Sequence, residues 1–87
     1  MQKEKKQILL NTLALQIRES IPQDKAPSML AAENGLSTSI MSKVLKGTRN
    51  VSFTTLFMLM EMCNDTPGEF FEKLTKKLPN EFTSIDI

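Results

Sequence analysis

The sequence predicts an all-α domain, and three observations carry that prediction. Leu10, Leu13, Ala14, Ile17 and Ile21 recur at spacings of three and four, which lines one face of a helix. Helix-opening residues (Pro27, Ser37, Ser52, Thr66) alternate along the chain with helix-ending ones (Pro22, Gly35, Gly47, Asn64, Pro79). No stretch alternates polar and apolar residues as a half-buried strand does. The expectation is one compact five-helix domain over residues 1–79, followed by a tail at 80–87 with no assigned structure.

The first helix is expected over about residues 4–20, ended by Pro22, because the residue before a proline is pushed out of the helical region. Residues 23–26 form a short polar loop. Pro27 suits the first position of helix two, where its missing N–H costs nothing. Gly35 ends that helix and Gly47 ends the next, since glycine accepts the left-handed backbone of a C-cap. Ser37 caps helix three. Residues 48–51 are read as a turn, and Ser52 as the cap of a fourth helix over about 53–63. Thr66, Pro67 and Glu69 have capping-box spacing for a fifth helix reaching about residue 77.

Hydrophobic residues make up 40% of the chain, enough for a core and too many for global disorder. No apolar run approaches the roughly 20 residues that span a bilayer. The charged start of the chain leads into an amphipathic stretch and not a signal-peptide core, so a cytoplasmic location is expected. The one cysteine, Cys63, has apolar neighbours and reads as a buried, inert thiol. Net charge is only +1, but its distribution is uneven. Residues 1–50 carry eight lysines and arginines against four acids, and residues 51–87 carry three against six. That asymmetry suits a directional nucleic-acid binder, although ordinary surface charge also produces it.

Helix three is the most informative segment. Met41, Val44 and Leu45 share one face, and small Ala31 on helix two lets the third helix approach closely. The other face presents Thr38, Ser39, Ser42, Lys43 and Lys46, which can meet base edges and phosphates. The same pattern also fits a solvated face on a plain helical hairpin.

The residues Leu30-Ala31, Gly35, Ser37, Met41-Ser42-Lys43-Val44 and Gly47-Thr48-Arg49-Asn50, followed by Ser52 and Leu56, resemble the lambda-repressor/Cro-like (XRE-type) helix-turn-helix family. The resemblance covers about residues 10–75. The Gly-x-Arg-Asn-Val-Ser run and the Phe70-Phe71 pair also resemble restriction-modification controller proteins within that family. The resemblance implies a lambda-repressor-like DNA-binding domain with its helix-turn-helix at helices two and three. It assigns base contacts to Thr38, Ser39 and Lys43. Phosphate contacts fall to Ser28, Ser37, Ser42, Lys46, Thr48, Arg49 and Asn50. Ile40, beside the reading face, either meets a thymine methyl or is partly buried, with burial favoured.

Four positions depart from the family pattern. Pro27 replaces a polar residue that touches the DNA backbone, which leaves Ser28 as its substitute. Ile21 and Leu45 stand where many members carry a buried arginine–glutamate pair. An apolar contact can replace such a pair without desolvating either charge, so the two side chains are expected to touch. Asn34 occupies a usually apolar position, and the sequence offers no account of it.

Helix four, with Phe53, Leu56, Phe57, Met58, Leu59, Met60, Met62 and Cys63, is apolar nearly all round and should be buried nearly all round. The expectation is a homodimer through Phe57, Met58, Met60, Met62, Phe70, Phe71 and Leu74. A helix wrapped entirely within a monomer is the alternative. Two copies would set two reading helices about 34 Å apart on a palindromic operator. There is no histidine, glycine-rich phosphate loop or metal-spaced cysteine cluster. The chain is therefore read as a transcriptional regulator of double-stranded DNA and not an enzyme, with no cofactor, metal, membrane or small-molecule effector. The competing reading is an antitoxin-type module whose methionine and phenylalanine surface meets a partner toxin.

Overall fold

The structure, a computed structural model, describes residues 2–82. Its five helices are α1 (Lys3–Ser20), α2 (Pro27–Glu33), α3 (Thr38–Lys46), α4 (Phe53–Met62) and α5 (Pro67–Lys77). The fold is all-α, and no strand occurs among the described residues. Each boundary lies within one or two residues of its sequence expectation. A 3-10 turn follows at Asn80–Phe82, where no structure was expected. The remainder of the expected tail, 83–87, lies outside the described residues. Among the described residues no helix is long and apolar enough to cross a membrane.

The helix ends explain these boundaries. Ser37, Ser52 and Thr66 each accept a hydrogen bond from the backbone N–H three residues on, at 3.4, 3.1 and 3.2 Å. Such caps satisfy donors that have no partner inside the helix. At Thr66 the hydroxyl also donates to Glu69 Oε1 at 2.8 Å, completing an exchange between the Thr66 hydroxyl and the backbone and side chain of Glu69. Helices α2, α3 and α4 all close in the same way. Leu36, Thr48 and Asp65 each donate an N–H to the carbonyl five residues back. The residue before each one, Gly35, Gly47 or Asn64, has a positive φ. This is the Schellman arrangement, in which one left-handed residue returns the chain to the last turn of its helix.

Helix α1 is the spine, packing against both α3 and α5. Helix α2 packs on α3, and α4 packs on α5. Leu13 and Ile17 of α1, Leu30 and Ala31 of α2, and Met41 and Val44 of α3 form one part of the core. Leu59, Met60 and Met62 of α4, Cys63 just after it, and Phe70 and Leu74 of α5 form another, and Ile21 and Leu36 complete the core. One polar side chain is locked inside. Gln16 is 0% exposed, and its Oε1 accepts from Lys77 Nζ at 2.6 Å. Lys77 also pairs with Glu19 at 3.2 Å, so α1 and α5 are keyed together by a polar contact as well as by packing. A buried amide left without such a donor would cost about 1–3 kcal/mol.

Helix α4 divides the expected dimer face. Met60, Met62, Phe70 and Leu74 are buried within the chain itself and offer nothing to a second copy. The division runs along the helix: the last turns of α4 are covered by α5 and the core, to which the fully buried Phe70 belongs. Phe57 and Phe71 stay exposed and Met58 half-buried. Phe53, absent from the expected face, is 77% exposed, and its ring lies 4.9 Å from that of Phe57.

Candidate functional site

Helix α3 owes its orientation to one apolar side. Met41 and Val44 are buried, while Ile40 and Leu45 are half-buried against the same core. Ile40 thus takes the partly buried of its two expected places. Ala31, with no exposed surface, lies in the core between α2 and α3. The 34–37 turn is drawn tight by Leu36 N–H to Ala31 C=O at 2.8 Å. Asn34 now has a reason: its Nδ2 donates to the Leu30 carbonyl at 2.8 Å, capping the end of α2 with a side-chain amide. An apolar residue there would leave that carbonyl with one donor fewer.

The opposite side of α3 is open. Thr38, Ser39, Ser42, Lys43 and Lys46 are all exposed, as are Ser28, Ser37, Thr48, Arg49 and Asn50. Two of these side chains already have structural work. The Ser37 hydroxyl caps α3, and the Thr48 hydroxyl donates to the Lys43 carbonyl at 3.3 Å. Lys43, Lys46 and Arg49 make no ion pair among the described residues. The cations elsewhere are often neutralised: Lys25 by Glu33, Lys73 by Asp65, Lys76 by Glu72 and Lys77 by Glu19. The free cations on α3 and the turn after it therefore form one uncompensated surface.

Helix α1 grips the last turn of α3 at two points. Gln7 Nε2 donates to the Gly47 carbonyl at 2.9 Å and to Asn11 Oδ1 at 2.8 Å. Arg18 donates to the Leu45 carbonyl through Nε at 3.2 Å and Nη2 at 2.8 Å. A guanidinium at a helix C-terminus also meets the negative end of the helix dipole. The sequence pattern predicts that Ile21 meets Leu45 near this point. These two residues line one cleft of about 290 Å³, together with Arg18, Pro22, Gln23, Lys25 and Pro27. The polar tie from α1 to α3 is thus an arginine on a backbone carbonyl, and sequence reasoning missed it. Gln7 was missed as well, because a lone glutamine on an exposed helix turn carries no positional signal.

A second concavity, of about 520 Å³, opens between α1, the turn after α3, α4 and α5. Leu9, Leu10, Leu13, Val51, Leu56, Phe71 and Leu74 give it an apolar lining, with Lys6 and Asn50 as its polar members. Cys63 lies apart from both concavities in the core, where burial and the nearby Asp65 carboxylate push its thiol up to about 11 despite the opposing charge of Lys73. No group of three histidine, cysteine, aspartate or glutamate residues fit to hold a metal occurs among the described residues.

Comparison with family models, curated proteins and solved structures found no match for this chain.

Proposed function

We propose that this chain is a sequence-specific DNA-binding regulator of the lambda-repressor/Cro-like helix-turn-helix type, acting as a homodimer on a palindromic operator. The observation that supports it best is the fully open polar face of α3, whose Lys43 and Lys46, with Arg49 just after the helix, make no ion pair among the described residues. A short helix held by its apolar side, with small polar and cationic side chains outward, matches what a major-groove reader needs. Thr38, Ser39 and Lys43 read base edges. Ser28, Ser42, Lys46, Arg49 and Asn50 hold phosphates. Ser37 and Thr48 approach the backbone as parts of their turns, since their hydroxyls are already engaged within the chain. The second copy is held through Phe53, Phe57, Met58 and Phe71, the apolar residues of α4 and α5 that the core leaves outside.

Selection of bound duplexes from a random pool is the direct test. The expected product is a two-fold symmetric site whose half-sites lie about one helical turn, roughly 10 base pairs, apart. A pool with no enriched sequence would refute specific recognition. The exposed Phe53–Phe57 pair supports a second reading, an antitoxin-type module that covers this surface with a toxin. A soluble dimer from the chain purified alone favours the regulator. Aggregation relieved by a co-expressed neighbour favours the module.

A further inference from the structure

The tie from Gln7 to Gly47 brings the first turns of α1 beside the turn that carries Thr48, Arg49 and Asn50. The approach is close. Asn11 Oδ1 stands 2.6 Å from where a Gly47 Cβ would lie. Lys6, next to Gln7, borders the same concavity as Asn50. Lys3 stands one turn earlier, at the i−3 and i−4 positions to Lys6 and Gln7, on neighbouring parts of the helix surface. Lys3 and Lys6 are exposed and make no ion pair among the described residues. Lys5 differs: its ammonium lies over the Phe82 ring, 5.6 Å from the centroid, on another side of the helix. Glu4 is the one acid of these turns and leaves them with a positive balance.

We propose that Lys3 and Lys6 are phosphate-binding residues that carry the DNA surface from Lys43, Lys46 and Arg49 onto the start of α1. The inference rests on the DNA-binding reading and names a part of that surface the sequence pattern did not include. A duplex presents one charge per roughly 1.7 Å of its axis, so a cationic strip that continues past the reading helix meets further phosphates. The partner is the sugar–phosphate backbone, and these contacts are indifferent to base sequence.

The test is the salt dependence of binding of the full chain to a fluorescent duplex, read by anisotropy. The variants are K3Q/K6Q, K5Q and R49A, with circular dichroism confirming unchanged helix content. Each lost phosphate contact should flatten the slope of log K against log salt by about 0.9. In a dimer each substitution counts twice, so K3Q/K6Q is expected to flatten it by roughly 3.6, R49A by about half as much, and K5Q to leave it unchanged. A K3Q/K6Q slope equal to wild type overturns the proposal while leaving the α3 surface intact. Equal flattening by K5Q also overturns it, since the lysines would then act as diffuse charge. Wild-type protein that binds no duplex at any salt defeats the DNA-binding reading itself, and this inference with it.

Discussion

Gly35 and Gly47 share a left-handed backbone, with φ of 75° and 69°, yet their surroundings differ. A Cβ on Gly35 meets nothing within 4 Å, whereas one on Gly47 strikes Asn11 Oδ1. Gly35→Ala should cost only the left-handed penalty, about 1–2 kcal/mol. Gly47→Ala should cost more, because it also dislodges the Gln7 and Asn11 contacts. Urea unfolding of both variants checks the order, and equal losses would show that the tie to α1 is energetically empty. Cys63 gives a second residue-level prediction. Its thiol titrates near 11 in the fold against 9.0 for an ordinary cysteine. Between those values the folded chain holds the proton more tightly than the unfolded chain does. Stability is thus fully present below pH 9 and falls as pH rises toward 11, by about 1–3 kcal/mol from this thiol. Lys73 is raised by its hydrogen bond to Asp65 and pulls in the same direction. Unfolding curves across this window should be flatter for Cys63→Ala, and a slope identical to wild type would remove the thiol as the cause. The caps and glycines were legible from sequence because each residue type has a narrow backbone role. Gln7, Gln16 and Arg18 were not, since a polar side chain becomes structural only when its partner is known.

At the scale of elements, α3 was the most legible. Its apolar residues all lie to one side, so the spacing alone identified both the buried and the free face. On the proposed reading, Lys43→Ala should cost roughly 1–3 kcal/mol of operator affinity and relax preference at one base pair. Unchanged preference in a binding-site selection would take base reading away from this residue. Helix α4 was the least legible. Apolar residues surround it, so periodicity cannot say which of them face the chain's own core and which face outward. The structure divides them along the helix: the last turns are covered by α5 and the core, while Phe53 and Phe57 near the start are not. Met60 and Met62 belong to the covered turns for that reason, while Phe70 and Leu74 lie on the side of α5 that is buried in the core.

For the whole molecule, the number of helices and their boundaries followed from capping chemistry, but their arrangement did not. Which helix serves as the spine depends on long-range contacts that no local signal encodes. The surface it leaves exposed carries a prediction. On the proposed dimer reading, Phe57→Asp with Phe71→Asp should shift the chain toward monomer in light scattering while circular dichroism stays unchanged, since both residues are about 40% exposed. A variant as dimeric as wild type would move the interface elsewhere. Weaker operator binding should accompany the shift, because one short helix reads only a few base pairs.

Lys6 and Asn50 belong to two places at once. They edge the apolar concavity between α1, α4 and α5, and they adjoin the turn at Gly47. An occupant of that concavity and a phosphate on the turn would draw on the same two side chains. Thermodynamic reciprocity then requires that whatever factor the occupant applies to DNA affinity, DNA applies equally to the occupant. On the DNA-binding reading, those two shared residues would let the concavity and the phosphate-facing turn sense each other.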